Sequence, residues 1–208
     1  PFSHDELMEK CRKIRHVALD MDGTIYLGSQ LFPYTHGFLR DLEEMGIKYS
    51  FLTNNPTKSV EDYLAKLRKL GIEATPDEMY TSSVAAIDWL RDKMPEARNL
   101  YVVGTPSMEE EFRKAGFNLL PDDPDQIPDC LVVAFDTTLT YPKLCHATWL
   151  TAQDVPYIAT NPDRVCPTDL RTILVDCGSL CKAIEHASGR EPDTVIGKPN
   201  PDMLSGIC

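Results

Sequence analysis

The sequence predicts an α/β fold in which a parallel, Rossmann-like sheet is flanked by helices and carries a second α/β unit inserted into it. Three observations carry this prediction. Apolar strand-like runs alternate with amphipathic helix-like runs from His16 onward. The strand candidates are too many for one small sheet. Two turn-rich stretches, residues 121–128 and 160–168, punctuate the second half of the chain. With 208 residues and 42% hydrophobic composition, the chain is long enough to bury a sizeable core without staples.

Taken in order, residues 16–20 read as the first strand. A helix follows over 35–45, with Phe38, Leu39, Leu42 and Met45 on one face and Gly46 to end it. Residues 47–53 form the second strand. Ser59 and Asp62 make a capping box for a helix whose apolar face is Val60, Tyr63, Leu64, Leu67 and Leu70, closed by Gly71. Further strands are predicted at 78–81, 100–103, 131–135, 156–159 and 194–196. The inserted unit is placed at 83–176, between a first core part at 1–82 and a return segment at 177–208 that opens with a helix over 178–188. Residues 3–15, with Leu7, Cys11 and Ile14 at helical spacing, predict a short helix packed on the core.

The balance of 21 Lys+Arg against 32 Asp+Glu gives a net charge of −11. That disfavours nucleic acid and anionic membrane surfaces as partners. An anionic substrate then needs a local positive site, which a divalent cation can supply. The charged start and the lack of a run of about 18 apolar residues point to a soluble, cytoplasmic protein. Seven cysteines without a Cys-x-x-Cys pair read as reduced thiols. Cys177 and Cys181 are four apart and read as small buried hydrophobes rather than a metal or redox pair. The five histidines lack ligand spacing, and Trp89 and Trp149 read as packing residues.

In open α/β sheets ligands bind at the carboxyl ends of the strands, so the residues just after each apolar run are the candidates for chemistry. The first strand ends in Asp20-Met21-Asp22-Gly23-Thr24, two carboxylates on one face of an extended segment with a glycine for the turn. Asp20 suits a nucleophile and Asp22 an acid that protonates a departing oxygen. The second strand ends in Thr53-Asn54-Asn55, whose hydroxyl, amides and main-chain N–H groups suit phosphate oxygens. A late strand ends in Gly197-Lys198-Pro199, one cation held at a stiff turn. Each motif alone also fits a common turn or helix cap. Their order, each directly after a strand, makes the set specific.

These motifs resemble those of the haloacid dehalogenase superfamily, in the branch of NagD, p-nitrophenyl phosphatases and phosphoglycolate phosphatases. Thr81-Ser82-Ser83, Leu139-Thr140-Tyr141, Thr160-Asn161-Pro162-Asp163 and Gly178-Ser179-Leu180 are similar to sequences of this branch as well. The resemblance covers nearly the whole chain. It implies a Rossmann-like core with a large α/β cap and an aspartyl-phosphate formed on Asp20. It further implies Asp22 as acid and then base, Thr53, Asn54 and Lys198 on the phosphoryl oxygens, and Mg²⁺ held by Asp20 and the Asp22 backbone carbonyl. It implies one more metal-binding Asp in a Gly-Asp motif, which does not follow Lys198 here, and on that ground the sequence reads as a fragment. The expected substrate is a small phosphorylated metabolite. Asn55, Asn161 and Asp163 are the candidates for specificity, and a homodimer is left open by the resemblance. Two other readings compete: a homologue that binds phosphate without turnover, and a dehalogenase, against which Asp22 argues because a halide needs no proton donor.

Overall fold

The computed structural model describes residues 3–200 and Met203, and two parallel sheets organise it. Helix α1 (His4–Arg12) starts in a capping box between Ser3 and Glu6. Cys11 and Ile14, expected against the core, are exposed, and the Leu7 side chain lies outside the described residues. Strand β1 (His16–Asp20) leads into an antiparallel hairpin, β2 (Tyr26–Leu27) and β3 (Gln30–Leu31). Periodicity does not reveal strands of two residues. Then come α2 (Thr35–Glu44), β4 (Lys48–Thr53), α3 (Val60–Lys69) and β5 (Met79–Thr81). The first sheet has the order β1-β4-β5 with both pairings parallel.

The Ser59–Asp62 capping box forms as the sequence predicts, and Tyr63 and Leu67 carry the inner face of α3. On α2 only Leu39 and Leu42 of the expected stripe are buried. Phe38 and Met45 are 42% and 69% exposed, because they fall on the margins of a stripe that the short helix turns toward one sheet.

The second unit runs through α4 (Ser82–Lys93), β6 (Asn99–Val103), α5 (Pro106–Lys114), β7 (Asn118–Leu119), β8 (Cys130–Val133), α6 (Tyr141–Ala152) and β9 (Tyr157–Ala159). A second hairpin, β10 (Val165–Cys166) with β11 (Leu174–Val175), precedes α7 (Cys177–Ser188) and β12 (Thr194–Val195). Its sheet has the order β12-β9-β8-β6-β7, all parallel. Alternate residues serve opposite faces. Leu100, Val102, Val132 and Ile158 pack with Leu90, Met108 and Phe112 of α4 and α5. Tyr101, Val103, Leu131 and Tyr157 pack with Leu150, Cys181 and Ile184 of α6 and α7. Helices on both faces explain why these strands read as unbroken apolar runs. The first of these clusters also takes in Leu52 and Tyr80, so one body of apolar packing reaches both sheets.

Helix α7 and β12, which the sequence assigns to the return segment, join the second sheet. β12 pairs with β9, and α7 packs on α6, β8 and β9. Cys177 and Cys181 lie in this packing with their sulfurs 3.9 Å apart, and Trp89 and Trp149 pack beside the two clusters. No helix among the described residues is long and apolar enough to cross a membrane.

Candidate active site

Parallel pairing of β1 with β4 sets Asp20 beside Leu52, at the carboxyl ends of both strands. Lys198 reaches the same place from the other end of the chain: its ammonium donates to Asp20 Oδ1 and to the Leu52 carbonyl, 3.4 Å away. The other Asp20 oxygen accepts from Thr24 Oγ1 at 2.9 Å. Gly23, at φ +85°, turns the chain so that its own N–H donates to the Tyr26 carbonyl at 2.8 Å.

Asp22 is in a different environment. Its side chain is 18% exposed, and its Oδ2 is buried with no hydrogen-bond partner among the described residues. Lys66 Nζ stands 4.0 Å from Oδ1 and 3.5 Å above the centre of the Tyr26 ring. Burial pushes the Asp22 carboxyl above its ordinary range. Lys66 opposes that shift and the Asp20 charge adds to it. A buried carboxyl raised above its ordinary range, two residues from a second carboxylate, is in an environment that suits a proton donor.

The loop after β4 is a junction. Asn54 gives its two amide protons to Asp163 Oδ2 at 2.8 Å and to the Lys198 carbonyl at 3.1 Å, and its Oδ1 accepts from the Lys198 N–H at 2.8 Å. Its carbonyl accepts from Ser82 Oγ and Asn161 Nδ2. The Asn54 side chain therefore ties three segments together and has no amide proton left for a phosphate oxygen. Contact with phosphate at this position would come from the main chain. Thr53, 2% exposed, accepts the Asn55 N–H at 3.1 Å. Asn55 caps Thr57 through its Oδ1 and points its amide at Cys166 Sγ, 3.5 Å away. The Lys198–Pro199 peptide is cis.

Asp20, Asp22, Thr53, Asn54, Asn55, Lys198 and Pro199 line a cleft of about 450 Å³ together with Asp163, Val165, Cys166, Pro167 and Asp176. Of the specificity candidates, Asp163 and Asn55 face it. Asn161 does not: it is fully buried and braces the Asn54 carbonyl and the Asp163 N–H. Thr24, Lys66, Cys166 and Asp176 were not singled out from the sequence. Lys66 had a signal, a lysine three residues after Tyr63 on the face of α3 that turns inward. Asp176 had another, an acid between an apolar pair and a helix start. Burial raises the Cys166 thiol to about 12, so it is a neutral wall residue.

The donors available to a cation are hard oxygens, the Asp20 carboxylate and the Asp22 main-chain carbonyl. They fit Mg²⁺, which keeps several waters and commonly takes only one or two protein carboxylates plus substrate phosphate. Among the described residues no group of three His, Cys, Asp or Glu side chains gathers as a metal site of its own.

A carboxylate paired with a lysine at one strand end, and two residues on a buried acid held above its ordinary range, form an arrangement suited to handling phosphoryl groups. Residues 17–118 match the haloacid dehalogenase-like hydrolase family. An acid sugar phosphatase of Staphylococcus aureus is 32% identical over 186 residues, 89% of this chain and 70% of its own length. A 4-nitrophenylphosphatase from Thermotoga maritima superposes with a TM-score of 0.86 at 36% identity, over 94% of this chain and 73% of that one. A glycerol phosphate phosphatase from Mycobacterium tuberculosis, solved in complex with magnesium, gives 0.84 at 26% identity, over 94% and 58%. The chain belongs to the haloacid dehalogenase-like hydrolases, and within them to the phosphatase class.

Proposed function

We propose that the protein hydrolyses a small phosphomonoester, with Mg²⁺, through an aspartyl-phosphate on Asp20. The observation that carries this reading is the contrast between the two carboxylates: Asp20 is held by Lys198 and Thr24, while Asp22 is buried with an unpartnered oxygen. An Asp20 oxygen attacks phosphorus, the phosphorus–oxygen bond to the leaving group breaks, and the departing oxygen takes the Asp22 proton. Asp22, now a carboxylate, removes a proton from water as the water attacks the aspartyl-phosphate. Asp20 and inorganic phosphate are then released. Lys198 offsets negative charge on the transferring group, and main-chain N–H groups after β4 hold its oxygens. When bound at Asp20 and the Asp22 carbonyl, Mg²⁺ would supply further charge compensation.

The second unit, taken from residue 83 to 195 because β12 belongs to its sheet, serves as the cap that covers the site and contacts the leaving group. A dehalogenase has no use for the buried Asp22 acid. The test is Asp20→Asn assayed with p-nitrophenyl phosphate and Mg²⁺, since an amide cannot attack. The expected loss is at least about 10³-fold. Activity within tenfold of wild type would remove Asp20 as nucleophile.

A further inference from the structure

We infer that the site accepts phosphomonoesters whose leaving group is neutral or cationic, such as a polyol or an amino alcohol, and discriminates against those that carry a carboxylate. The inference rests on the phosphatase reading of the same cleft and adds a substrate class to it.

The cations nearest the cleft stand on the two β1-end carboxylates: Lys198 on Asp20, and Lys66 4.0 Å from Asp22. The facing wall, built by the chain entering β10 and by the start of α7, has no cation lining it. It presents Asp163 and Asp176 among Val165, Cys166 and Pro167. Lys198 is the one basic residue in the lining of the cleft, and it is paired with Asp20. Arg164, next in sequence to Asp163, is exposed and does not line the cleft.

Neither wall carboxylate takes part in an ion pair among the described residues. Asp163 accepts one amide proton from Asn54, and Asp176 accepts the first N–H of α7 from Cys177. An ionised carboxylate has about four acceptor positions, so half-buried Asp163 has capacity left for hydroxyl or ammonium donors, while Asp176, 2% exposed and also in contact with the Asn161 side chain, adds mainly its charge. With phosphorus fixed against Asp20, the leaving group extends toward this wall. A hydroxyl or ammonium group finds acceptors there. A carboxylate finds like charge.

The test uses the full-length protein with Mg²⁺ near neutral pH. Values of kcat/KM for glycerol 3-phosphate, glucose 6-phosphate and O-phosphoethanolamine are compared with those for 2-phosphoglycolate and 3-phosphoglycerate. The first group should lead by at least about tenfold. In Asp176→Asn, which keeps the helix cap, the ratio of 2-phosphoglycolate to glycerol 3-phosphate should rise by about threefold or more, with Asp163→Asn giving the same direction. Calorimetric titration of both ligands into Asp20→Asn repeats the comparison without turnover. Equal or better use of the carboxylated esters by wild type overturns the inference and leaves the phosphatase reading standing. No hydrolysis by wild type and no binding to Asp20→Asn overturns both.

Discussion

Asp22 and Asp176 are both carboxyls raised by burial, and they lead to different measurements. For Asp22→Asn the loss should grow with the basicity of the leaving group. About 10²-fold or more is expected for alkyl phosphates, and much less for p-nitrophenyl phosphate, whose phenolate departs with little proton assistance. Equal losses across leaving groups would make Asp22 a structural residue. For Asp176, burial lifts the carboxyl from 3.8 to about 6. A raised acid binds its proton more tightly when folded. Its contribution is therefore fully present below about pH 4 and is lost as pH rises to about 6. Asp176→Asn should stabilise the fold by on the order of 1 to 3 kcal/mol above pH 6 and by little at pH 4, read from urea midpoints. A midpoint shift independent of pH would contradict this. The placement of Asp20, Asp22 and Lys198 in one cleft was legible in the sequence because each follows an apolar run that had to be a strand. Lys66 and Asp176 left only weak signals in their sequence neighbours and were not singled out, since what folds over them decides their surroundings.

Among the elements, the turn between β12 and Lys198 bears most directly on the site. A Cβ on Gly197 would stand 2.6 Å from the Thr160 carbonyl oxygen and 2.7 Å from Asn54 Oδ1, so backbone would have to move. Gly197→Ala should lower kcat/KM at least about tenfold and destabilise by about 1 to 3 kcal/mol, through overpacking that carries Lys198 away from Asp20. Gly116→Ala is the control. It has φ +98° and nothing within 4 Å, so it should cost about 1 to 2 kcal/mol of backbone strain and leave kcat/KM unchanged. Equal activity losses in the two variants would mean that strain, and not the crowding at Asn54, governs the site. The long strands and the capped helices were readable from period and caps. The β2–β3 and β10–β11 hairpins were not, because pairs of two residues leave no alternation to detect. The assignment of β12 failed for another reason: β9-α7-β12 is a strand-helix-strand crossover, and such a unit looks the same whichever sheet receives its last strand.

For the molecule as a whole, the apolar cluster that joins Leu52 and Tyr80 to the second sheet links the two units energetically. Phe112, fully buried in it, should cost about 3 to 5 kcal/mol when replaced by alanine. Scanning calorimetry of that variant should show one transition moved to lower temperature. Two resolved transitions would show that the units unfold independently. The α/β class and the presence of more strands than one small sheet holds were legible because strand and helix periods alternate along the whole chain. The place where the insertion ends was not, since it depends on pairing between distant strands. Asp20 and Lys198, in contact in the folded protein, are 178 positions apart. At ribosomal speeds of about 5 to 20 residues per second, the acid waits about 10 to 35 s for its cation to be made. A nascent chain can therefore form the first sheet early, yet it has no charge-balanced site until nearly everything between those two residues has been translated and packed.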